Sequence, residues 1–175
     1  MKRIFALLLA VMMIAAVLCA CGGSSSGDVK TTVPSKYDDG FAESYAKSSS
    51  TDSDGNKVYE FTDDKYEDFI KSHKTSLDNE VTKKYAELHP TSTEDESVPY
   101  GEFVYINDDK KAVIVGVHTE SYDEATAKEE SATAAEYGFK YFQNLKEPVD
   151  TISVIYCDAN NQDTVFGTFE FTAEK

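Results

Sequence analysis

The chain has 175 residues and carries 17 Lys and Arg against 32 Asp and Glu, for a formal net charge of −15 at pH 7. So acidic a balance excludes nucleic acid as a partner and offers no basic footprint for direct binding to anionic lipid. The part beyond the N-terminal segment is of a size to form one domain with an adequate core.

In chain order, Lys2 and Arg3 form a short positive region, and residues 4–18 are an uninterrupted apolar run. That run matches a secretory h-region and is short for a bilayer span of ~20 residues. It ends in Leu18-Cys19-Ala20-Cys21, which resembles the lipobox of bacterial lipoproteins: a branched apolar residue at −3, a small residue at −1 and cysteine at +1. Cys19 stands at −2, where the family usually has Ala, Ser, Thr or Val, and it is small enough to fit. The resemblance implies a signal peptide over residues 1–20, diacylglycerol on the Cys21 sulfur and an acyl chain such as palmitate on the new amine. The membrane is then a partner through that lipid, on the extracytoplasmic face of the cell membrane. A Cys19/Cys21 metal pair lacks further ligands, since the other cysteine is Cys157 and the first histidine is His73, whereas zinc requires four placed ligands.

Removing residues 1–20, which hold Lys2, Arg3 and no acid, takes the formal charge from −15 to −17. Cys157 becomes the one thiol of the mature chain, so no internal disulfide forms and the core must supply the stability. Cys157 lies in an apolar strand without a cationic neighbour, which reads as packing and not as a reactive thiol. Gly22 to Gly27, GGSSSG, reads as a flexible tether that continues to Ser35, with the domain over residues 36–175. The GGSSSG tether and the tyrosine-rich, tryptophan-free acidic domain resemble in style small lipoproteins of Gram-positive bacteria.

Within the domain, residues 56–61 read as a strand that pairs with residues 41–49 across Thr51-Asp52-Ser53-Asp54-Gly55. Asp52 to Asn56 is a poor calcium loop, because its glycine is two places early and the distal glutamate is absent; it reads as a turn. The apolar spacing of Tyr66, Phe69, Ile70, His73, Leu77, Val81, Tyr85 and Leu88 predicts a helix over residues 63–88. Thr62 is its N-cap and His89-Pro90 its stop. The loop from Thr91 to Pro99, with Glu94, Asp95 and Glu96, reads as a solvated connection. Residues 101–106 and 112–119 form a hairpin around Asn107 to Lys110. A second helix is predicted over residues 122–146, with Ser121 and Glu124 as a capping box and Ala125, Ala132, Ala135, Phe139 and Phe142 along one side. Residues 150–157 and 164–172 form the last hairpin, around Ala159 to Gln162. The order is ββ-α-ββ-α-ββ. It predicts an α+β two-layer sandwich in which two helices cover one antiparallel sheet of five to six strands.

The strands are apolar on both faces. Ile114, Ile155 and Phe166, with one set from residues 103–106, are the candidate binding face that the helices leave uncovered, for a protein partner or a small apolar ligand. Chemistry is thinly represented. His73 sits on an apolar helix face and His89 at a helix end. His118 and Glu120 lie two apart on one side and could do acid–base work, but a nucleophile or third ligand is missing. No metal, cofactor or nucleotide motif is present, so no cofactor is expected. The sequence thus reads as a lipid-anchored, non-catalytic binding or accessory domain. A cell-surface hydrolase using His118 and Glu120, or a homodimeric module that buries its apolar face, are the alternatives.

Overall fold

A computed structural model describes residues 28–89 and 101–174. The fold is α+β, with two helices and two sheets. The first sheet contains β1 (Asp28–Val33), β2 (Ser48–Thr51) and β3 (Lys57–Thr62), ordered β1-β3-β2 and antiparallel throughout. Helix α1 (Asp63–Leu88) follows β3 directly. The second sheet contains β4 (Gly101–Asn107), β5 (Ala112–Val117), β6 (Thr151–Asp158) and β7 (Asn161–Thr172), in spatial order β4-β5-β6-β7. Helix α2 (Glu124–Phe142) connects β5 to β6.

The single sheet expected from the sequence is therefore two. Residues 28–33, expected to belong to the tether, are β1, whose Val29, Thr31 and Val33 point inward while Asp28, Lys30 and Thr32 point out. This period-2 burial is what a half-covered strand requires. The arm expected over residues 41–49 is a strand only from Ser48. Phe41–Ser44 is a 3-10 turn instead. Asp38 Oδ1 accepts the Gly40 N–H at 3.2 Å and Asp39 Oδ1 accepts the Phe41 N–H at 3.0 Å. Such local bonds compete with a strand ladder. The Asp52 segment is a turn: its carboxylate accepts the N–H groups of Asp54 and Asn56, both at 2.9 Å, and Gly55 takes φ 86°.

The expected hairpins form, but the connection between them does not follow the expected all-antiparallel arrangement. β5 and β6 are parallel, so β5-α2-β6 is a βαβ crossover. Every residue of β5 is buried, as a central strand with a parallel neighbour tends to be.

Helix α1 occupies the predicted span and buries Tyr66, Phe69, His73, Leu77, Val81 and Tyr85. Leu88 is 41% exposed, and Thr62 occupies the N-cap position without a side-chain capping bond. Helix α2 starts later and ends earlier than expected. Asp123 caps it, accepting the Thr126 N–H at 2.8 Å, so Ser121 and Glu124 do not form the box. Its buried face is Ala127, Ser131, Ala134, Ala135, Gly138, Phe139 and Phe142, whereas Ala125 and Ala132 are exposed. Small residues let α2 lie close on the sheet. A Cβ on Gly138 would come within 2.6 Å of Ile152 Cδ1 and 3.0 Å of Val113 Cγ2.

Both helices share one face of the second sheet, α1 against β4 and α2 against β5, β6 and β7. The first sheet packs on α1, with Phe61 stacked on Phe69 at 5.1 Å between ring centroids. One continuous core runs through both sheets and both helices.

Candidate functional site

The face of the second sheet away from the helices is apolar, as the strand patterns suggest, and among the described residues its own side chains pack on one another. Ala112, Ile114 and Cys157 are buried there under the partly exposed Phe103, Tyr105 and Ile155. The Phe103 ring lies on Gly116, where an added Cβ would be 2.3 Å from its Cζ. Tyr105 of β4 donates its hydroxyl to Gln162 Oε1 of β7 at 3.1 Å, across the two strands between them. Cys157 is 1% exposed and burial pushes its thiol pKa up. Val165 is 52% exposed at the rim.

Phe166 does not join Ile114 and Ile155 on this face. Tyr156 pairs with Gly167 and Cys157 with Val165, which leaves Phe166 as the extra residue of a bulge. It packs with the main core and stacks on Tyr122 at 5.0 Å.

The histidines occupy three separate places. His73 is fully buried between the rings of Phe41 and Phe69, its Nε2 2.8 Å from Asp39 Oδ2. Burial is the largest single influence on Asp39 and works against its ionisation, but the bond to His73, the attraction of that ring and the Phe41 N–H together outweigh it and hold the carboxyl below the usual range. The pair pins the 3-10 turn to α1. His89 Nε2 lies 2.8 Å from Glu130 Oε1 and ties the end of α1 to α2. His118 closes β5, with Asn160 Nδ2 3.4 Å from its Nδ1, while Glu120 is exposed in the 3-10 turn that follows. Cys21 and the loop with Glu94, Asp95 and Glu96 lie outside the described residues.

Among the described residues, a concavity that the sequence does not reveal lies on the far flank of α2. It is an open groove of about 430 Å³, within the range of ligand sites. Ala132, Ala135, Glu136 and Phe139 of α2 form one side, Phe171 and Thr172 of β7 the other, and Lys36, Tyr37 and Glu174 close one end. The end is tied down. Tyr37 packs on Phe139 at 5.3 Å, its hydroxyl accepts the Glu174 N–H at 3.0 Å, and Lys36 pairs with Glu174. Glu136 pairs with Lys140 at 3.0 Å. The floor, from Ala132, Ala135, Phe139 and Phe171, is apolar, and the rim carries the two ion pairs. The one sequence sign of this groove is Ala132, a small apolar residue that α2 leaves exposed. Neither His118 nor Glu120 lines it.

Comparison of the chain with family models, with curated proteins and with solved structures finds no match.

Proposed function

We propose that the protein is a lipid-anchored extracytoplasmic lipoprotein, held to the cell membrane through Cys21, whose domain binds a ligand or partner without catalysis. The observation that carries the binding reading is the groove between α2 and β7, with its apolar floor and ion-paired rim. The lipobox Leu18-Cys19-Ala20-Cys21 supports the anchor, and multiple acyl chains suffice for stable attachment. The tether after Cys21 then keeps the groove within a few nanometres of the membrane, ready for a partner at the same surface.

Two measurements test this. Radiolabelled palmitate should enter the wild-type chain and not Cys21→Ser, and the substitution should move the protein from the membrane fraction to the medium or periplasm. A photocrosslinking residue at Ala132, on intact cells, should capture a discrete adduct that one at exposed Lys83 does not; equal capture from both positions would count against the groove.

A further inference from the structure

The two edges of the second sheet are treated differently. At β4, α1 supplies side chains to the outward backbone: the Ile106 N–H donates to Asp78 Oδ1 at 2.7 Å, and Thr82 Oγ1, whose one proton is shared with the Asp78 carbonyl at 2.7 Å, reaches the Val104 carbonyl at 3.1 Å. At β7, which is 12 residues long against 8 for β6, the described residues offer one strand partner, β6. Long exposed edges are normally blunted by Lys, Pro or brevity. Residues 161–172 contain neither Lys nor Pro, and the bulge at Phe166 leaves residues 167–172 as the stretch in regular register.

The groove meets this edge at the C-terminal end of β7. Phe171 and Thr172 belong to both, and the helix-side row of β7, made of Phe171, Phe169 and Gly167 opposite Ile152, Val154 and Tyr156, is left half-covered. On the helix side the exposed Ala132 faces the groove beside Phe171, with Ala135 buried beneath. An open row of backbone donors and acceptors beside an apolar trough is what strand addition uses, with main-chain bonds for affinity and alternate side chains for selectivity.

Charge decides the occupant. Residues 147–174 hold Glu147, Asp150, Asp158, Asp163, Glu170 and Glu174 and no Lys or Arg. The two groove-side cations, Lys36 and Lys140, are engaged by Glu174 and Glu136. A second copy of β7 would set like charges against each other in a chain of net charge −15, which is unfavourable across a strand pair. We infer that β7 and the α2 groove receive an extended segment of a partner protein whose apolar residues alternate with Lys or Arg, added as a fifth strand. This rests on the groove being the binding site.

The probes are three blocked decapeptides: alternating Val and Lys, the same with Glu for Lys, and the Lys peptide N-methylated at alternate residues. Each is titrated against the full-length chain in detergent by calorimetry. The Lys peptide should bind at least tenfold more tightly than the Glu peptide, and N-methylation should abolish binding by removing the edge bonds. Ala132→Arg, at an exposed position, should weaken the Lys peptide at least tenfold while circular dichroism stays unchanged. Absence of binding at 1 mM, equal binding of the N-methylated peptide, or indifference to Ala132→Arg would overturn strand addition. So would a concentration-dependent dimer that Ala132→Arg dissolves, since the edge would then take a second copy. A non-peptide adduct captured from Ala132 on cells would overturn this inference and leave the binding role standing.

Discussion

The edges β4 and β7 bound the same sheet, yet among the described residues α1 bonds to the outer backbone of the first, while the second has β6 as its one strand partner. At β4 the helix that covers the sheet face also reaches over the rim, with Asp78 and Thr82 one turn apart on α1. At β7 the covering helix α2 presents Ala132 and Ala135, and the long polar side chain on that flank, Glu136, is turned to Lys140. The lesson is that a helix protects a strand edge only when its flank carries polar side chains of the right length. A flank of small residues leaves a trough in their place.

The largest test strikes the packing that holds α2 down. Gly138→Val would drive methyl groups into Ile152 and Val113, already within 2.6 and 3.0 Å of a notional Cβ, and should cost about 3 kcal/mol in chemical denaturation. It should also change groove depth and so weaken the Lys peptide. Asp78→Ala removes a carboxylate from the Ile106 N–H and should cost about 2 kcal/mol. It also opens the β4 edge, so light scattering should report more self-association than for wild type. Thr82→Val removes a hydroxyl whose proton is shared between the Asp78 and Val104 carbonyls and should cost about 0.5 kcal/mol in the same assay. Thr168→Lys, exposed on β7, should change stability by less than about 0.5 kcal/mol. In hydrogen exchange the Ile106 amide should be slow, while alternate amides over residues 164–172 exchange quickly. Equal protection of the two edges would erase the contrast.

Much of the fold was legible in the sequence. The 3- and 4-residue spacing from Tyr66 to Leu88 locates α1 because a long amphipathic helix leaves an unambiguous period. The two hairpins follow from turn residues between β-rich runs. The lost strand β1 was masked by its neighbours: DVKTTV alternates correctly, but it follows a Gly/Ser stretch and exposes Asp28, Lys30 and Thr32. The candidate face was half legible. Ile114 and Ile155 lie on it as their alternation predicts, while Phe166 leaves it because a bulge shifts the period by one, a change that pairing creates and local sequence does not encode. His118 and Glu120, read as a candidate pair, belong to a strand end and a 3-10 turn with different surroundings.

By itself the sequence determined the α+β class, the long helix, both hairpins and the acidic character of the last 28 residues before Lys175, because these depend on local period, turn chemistry and composition. Tertiary structure alone decided that the strands divide between two sheets, that β5 and β6 run parallel, and that one sheet edge is capped while the other borders a groove. Those outcomes depend on which distant residues meet, Asp78 with Ile106 or Ala132 with Phe171. Periodicity states which side of an element is apolar. It does not state what will cover that side.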